Sequence, residues 1–191
     1  MRRQRSKAEL LNHMRTYATL KKDAENNTSI TGNTVYWRMG VEWCTALWKE
    51  ENFSTNELAK FVQYIKDNDV TELTEERREE VRNAIGEKGT DWLLKNTVTP
   101  QKMKNAVDQA INDLDFYNNK ASVDYSLLAC EYLIKFKGYG KKRLDRIIGD
   151  VYYLDSQKAE LIWQMRQDLF DHKGIWIELG EDEDIDRTHI I

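Results

Sequence analysis

KFKGYGKKRLDR, Lys135 to Arg146, is the stretch from which the rest of the chain is read. It carries six basic residues, Lys135, Lys137, Lys141, Lys142, Arg143 and Arg146, against one acid, Asp145, in a chain of formal net charge −4. Everything outside it therefore sums to −9. Before the turn, Leu127, Cys130, Leu133 and Ile134 recur at helical spacing between Val123 and Phe136. After it, Leu144, Ile147, Ile148 and Val151 do the same. Helix, glycine-aromatic-glycine turn and basic helix is the local pattern, and it sets the fold class as all-α.

The flanking sequence extends this pattern. One proline and nine glycines among 191 residues leave few breakers, and 40% apolar with 32% charged residues suits a globular chain with a real core. Ser6 to Glu9 has capping-box spacing and opens a helix through Leu10, Leu11, Met14, Tyr17 and Ala18, which fades in the polar run Asn26 to Asn33. A helix from Thr34 to Glu51 carries Trp37, Val41, Cys44, Leu47 and Trp48 around much of its circumference and is expected at the centre. Ser54 to Glu57 repeats the box ahead of Leu58, Phe61, Val62 and Ile65. Thr74 begins a helix ending at Gly86, with Glu75–Arg78 and Glu79–Arg82 read as pairs on a solvated face. Asp91 to Asn96 is too short to assign. Thr99-Pro100 starts a helix that runs to about Tyr117, separate from the one at Val123. Asp155 is expected to cap a last helix with Leu161, Ile162, Met165 and Phe170, and Gly174 to Leu179 alternates like a short strand.

Sliding the chain along itself by 86 residues places Cys44 on Cys130, Leu47 on Leu133, Lys49 on Lys135 and Leu58 on Leu144. Val41 with Leu127, Phe53 with Tyr139 and Phe61 with Ile147 are similar matches. The reading is two related helical units, 1–96 and 97–177, packed into one body and followed by an acidic tail, 178–191. The first copy's turn, Glu-Asn-Phe-Ser-Thr-Asn-Glu, lacks the positive charge of the second.

Several classes of chemistry leave no trace. His13, His172 and His189 stand in separate segments without ligand spacing, and there is no zinc pattern, phosphate loop or dinucleotide fingerprint. The expectation is a protein that is not an enzyme, with no catalytic residue, no metal and no cofactor. No apolar run approaches a membrane span and MRRQRSKAELL is no secretion signal, so a cytoplasmic location is expected, with Cys44 and Cys130 as small buried hydrophobes. The candidate binding residues are Lys137, Lys141, Lys142, Arg143 and Arg146. The basic N-terminus, Arg2, Arg3, Arg5 and Lys7, could pair with the acidic tail within a homodimer, and Trp92 and Trp176 are candidates for an interface.

Phe136 to Leu144, FKGYGKKRL, resembles short uncharacterised proteins of bacteriophages and prophages of Gram-positive bacteria, in which a buried helix ends in an aromatic-glycine turn followed by Gly-Lys-Lys-Arg-Leu or a near variant. The likeness covers Val123 to Asp150 with flanks and departs at Lys137, where that pattern has another small residue. It implies a phage or mobile-element protein working in a bacterial host's cytoplasm and supplies no activity. The resulting expectation is a phage-encoded, non-enzymatic binder that modulates or inhibits a host nucleic-acid-handling or defence complex, for instance an anti-CRISPR. Its partner would be a host protein or nucleoprotein complex. The alternative is a helix-turn-helix-like DNA-binding regulator using Tyr125 to Val151.

Overall fold

The computed structural model describes residues 35–68, 73–95, 101–102, 106–157 and 159–177. Among them there are seven helices and no strand: α1 (35–49), α2 (Thr55–Asp67), α3 (Glu75–Ala84), α4 (Glu87–Lys95), α5 (Ala106–Lys137), α6 (Lys141–Asp155) and α7 (Ala159–Lys173). The helix expected over Ser6 to Ala18, the Thr99-Pro100 start and the acidic tail lie outside the described residues. No helix among them is long and apolar enough to cross a membrane.

Two stretches have no wet face. Residues 39–47 of α1 and 123–133 of α5 are buried without interruption, so these helices form the centre and the others cover them. One apolar cluster runs through the molecule, from Trp37, Trp43 and Leu47 through Leu58, Phe61, Leu127, Leu133, Leu144 and Ile147 to Leu169. Trp92, an interface candidate by sequence, is buried in this cluster, its ring edge-to-face with Tyr152. Cys44 and Cys130 are free and buried, and burial pushes the Cys44 thiol up to about 12.

The helix ends follow the local sequence. Ser54 accepts from the Glu57 amide while Glu57 accepts from the Ser54 amide at 2.9 Å, the reciprocal box that starts α2. Thr74 caps α3 through the Arg77 amide. α1, α5 and α7 end alike: Asn52, Gly138 and Gly174 adopt φ of 57°, 64° and 62°, and the amides of Phe53, Tyr139 and Ile175 bond back to the carbonyls of Leu47, Leu133 and Leu169. These are left-handed (αL) C-caps, with Gly138 and Gly174 also donating to Ile134 and Phe170, and the left-handed residue is least strained as glycine and tolerable as asparagine.

Three expectations are corrected, and two stretches are assigned. The two helices expected on either side of residues 118–122 are one helix of 32 residues, because Asn118-Asn-Lys-Ala-Ser122 contains neither glycine nor proline to stop propagation. The charged run of α3 is not only a wet face. Arg77 donates to Glu131 (2.7 Å) and Arg78 forks onto Asp124 (one arm at 3.0 Å), two buried acids two turns apart on α5. Buried carboxylates need such partners, and α3 supplies them. Asp155 ends α6 instead of capping α7, and its carboxylate meets Arg38 at 3.1 Å. Residues 91–95, unassigned by sequence, belong to α4; of the stretch Gly174 to Leu179, residues 174–177 are neither helix nor strand and 178–179 lie outside the described residues.

α4 lies tight against α6. A Cβ at Gly86 would stand 2.1 Å from the Asp145 carboxylate, and one at Gly89 would stand 2.6 Å from Ile85 and 2.8 Å from Ile148. Asp145 accepts from the Gly89 amide at 3.0 Å, so the one acid of the basic stretch caps a neighbouring helix, with its negative charge at the positive end of the dipole.

Candidate functional site

The left-handed turns after α1 and α5 face each other at one pole of the molecule. Each has the same parts in the same order: a residue at the helix C-cap (Glu51 or Lys137), a left-handed residue (Asn52 or Gly138), a buried aromatic (Phe53 or Tyr139) and the N-cap of the next helix (Ser54 or Gly140). Three residues into that next helix stand Glu57 and Arg143.

Glu51 is the centre of the first contact. Its side chain is 1% exposed, and it accepts from Arg143 Nε (2.7 Å), Arg146 (2.5 Å) and the Tyr139 hydroxyl (2.9 Å). Burial alone would raise its carboxyl, but the hydrogen bonds from Arg143, Arg146 and Tyr139 overturn this and hold it below the ordinary range. The Arg143 guanidinium lies 3.8 Å from the centre of the Tyr139 ring, so the same arginine pairs and stacks.

The second contact mirrors the first. Lys137 donates to Glu57 at 2.5 Å and lies 4.7 Å from the centre of the Phe53 ring. The bond from Lys137, followed by those from Ser54, pulls the Glu57 carboxyl down to about 2. In both contacts a C-cap residue reaches across to the third residue of the opposite helix and to the opposite aromatic. Where the C-cap residue is an acid, the aromatic has a hydroxyl to donate; where it is a cation, the aromatic is phenylalanine and offers a ring face. Charge at the helix ends is handled differently in the two. Lys137 at a C-terminus and Glu57 at an N-terminus agree with the helix dipoles, whereas Glu51 and Arg143 each oppose theirs and are balanced by one another.

Of the five basic residues expected to bind a partner, Lys137, Arg143 and Arg146 are thus engaged within the chain, as is Lys135 with the buried Glu131 at 2.5 Å. Lys141 and Lys142 are exposed and make no ion pair or hydrogen bond among the described residues. They occupy the first turn of α6, where Gly140 gives no side-chain cap and no acid is present. Sequence reasoning missed Glu51 and Glu57, although the 86-residue offset carried the signal: it sets Glu51 on Lys137 and Glu57 on Arg143, opposite charges at matched positions.

One further polar group stands apart from this pole. Glu42 of α1 is wholly buried; Arg38 donates to one carboxylate oxygen at 2.8 Å, and the other has no partner among the described residues. Burial outweighs the Arg38 bond and pushes the carboxyl up to about 8. No group of three or more histidine, cysteine or acidic side chains among the described residues could hold a metal ion. No protein-family model, curated protein or solved structure matches the chain.

Proposed function

We propose that this is a phage-encoded, non-enzymatic binding protein that modulates or inhibits a host nucleic-acid-handling or defence complex, such as a CRISPR effector, and that Lys141 and Lys142 meet an anionic surface on it. One observation carries the reading. Two lysines stand exposed, without an intramolecular ion pair among the described residues, at the helix end where positive charge costs stability, while their basic neighbours are neutralised by Glu51, Glu57 and Glu131. Folding does not account for their charge, and an anion brought by a partner would. The phage-like turn Phe136 to Leu144 supplies the setting. The two helical units of the sequence reading are supported by the paired contacts Glu51–Arg143 and Lys137–Glu57, and less by the caps, since α7 ends in the same way.

The helix-turn-helix reading ranks second. It would use Lys141, Lys142 and Arg143 at the start of α6 on base edges and phosphates, and of these Arg143 is held by Glu51. The test is affinity capture from phage-infected bacteria with the wild-type chain and with Lys141→Glu/Lys142→Glu. Loss of one host complex from the double variant, with the helical circular dichroism unchanged, is the expected result. Equal capture by the two proteins would remove the lysines from the interface, and duplex DNA as the sole captured species would favour the regulator.

A further inference from the structure

We infer that the four charges Glu51, Glu57, Lys137 and Arg143 are a pairing code: they make the two helical units of this chain recognise each other and disfavour pairing of either unit with a copy of itself. The inference rests on the two-unit reading and not on the identity of any partner. Its basis is the crossed geometry. Glu51 pairs with Arg143 at 2.5 Å, and the residues 86 positions on and 86 positions back, Lys137 and Glu57, also pair at 2.5 Å. A contact in which residue i meets j while the counterpart of i meets the counterpart of j is the arrangement of a two-fold dimer, here within one chain.

Such an interface would serve two identical units equally well unless something distinguished them. Charge does. Were the first turn to meet a second copy of itself, Glu51 would face Glu57; were the second to do so, Lys137 would face Arg143. Both homotypic contacts are repulsive, and the mixed contact forms two ion pairs. Like charges set against wrong partners are an established route to pairing specificity. The aromatics follow the same division, since Tyr139 donates to the Glu51 carboxylate while Phe53 has no hydroxyl and receives the Lys137 cation on its face. Pairing within the chain is thereby favoured over exchange of units between chains.

The test uses the full chain and reads thermal midpoints. Lys137→Glu recreates the acid–acid contact of a homotypic pairing, and Lys137→Gln serves as its neutral control. Lys137→Glu should fall below Lys137→Gln. Glu57→Lys, which also breaks the Ser54 capping box, should lower the wild-type midpoint, yet raise that of the Lys137→Glu chain by about 2–4 °C. An equal loss from Glu57→Lys in both backgrounds would overturn the inference. Should Lys137→Glu fail to fold, return of a cooperative transition in the reversed pair supports the code. In that case the cycle of Lys137→Gln with Glu57→Gln decides: a combined loss smaller than the sum of the single losses supports it, and strict additivity contradicts it. None of these variants alters Lys141 or Lys142, so failure here is distinguishable from failure of partner capture.

Discussion

Glu51 decides whether Arg143 and Arg146 belong to the fold or to a partner. Its carboxylate is buried while the two arginine side chains remain 49% and 59% exposed. Losing the acid lets the arginines return to water, whereas losing both arginines would leave a buried charge with only the Tyr139 hydroxyl. Glu51→Gln is therefore expected to cost about 1–3 kcal/mol in urea unfolding, and Arg143→Ala/Arg146→Ala more. The acids also set the pH profile. Glu51 and Glu57 are shifted down, so their contribution is complete above the unfolded carboxyl value and is lost as pH falls through the folded one, near 2 for Glu57. Glu42 is shifted up to about 8, so its contribution is complete below the unfolded value and is lost as pH rises through 8. Unfolding measured from pH 5 to pH 9 should show stability declining across this window in the wild-type chain and a flatter profile in Glu42→Gln. An unchanged slope would show that Glu42 is not the group responsible.

At the scale of elements, close backbone approach and turn conformation both favour glycine, for different reasons. Gly89→Ala drives a methyl into Ile85 and Ile148 and should destabilise by about 1–3 kcal/mol. Asn52→Gly relieves a left-handed residue in the turn after α1 and should stabilise by several tenths of a kcal/mol, whereas Gly138→Ala, at the matched position, should destabilise by about 1 kcal/mol. Chemical denaturation of the three variants checks all the signs together. The sequence made α1, α2 and the helices around Gly138 legible because apolar periodicity, Ser54 and the turn residues agree there. It left α5 divided because the apolar stripe lapses near Asn118 and Asn119, although nothing in those residues breaks a helix. It misread Arg77 and Arg78 because their partners, Asp124 and Glu131, are distant in the chain and their burial is a tertiary fact. Long-range polar pairs have no periodicity. For the candidate site, the sequence could not divide the cations of the turn into those with acids opposite and those without.

In the whole molecule, two fully buried helical stretches, 39–47 and 123–133, are wrapped by the remaining helices, and the ends of α1 and α5 meet at one pole. There, intramolecular acids account for Lys135, Lys137, Arg143 and Arg146 and leave Lys141 and Lys142. This division is the central claim, and comparing two charge-reversed chains by thermal midpoint tests it most directly. In Lys141→Glu/Lys142→Glu the new acids sit at the start of α6, where the dipole favours them, so the midpoint should hold or rise by about 1–4 °C. In Arg143→Glu/Arg146→Glu two more acids are forced against Glu51, and the midpoint should drop by about 5 °C or more. A large loss in the first chain with little change in the second would contradict the account.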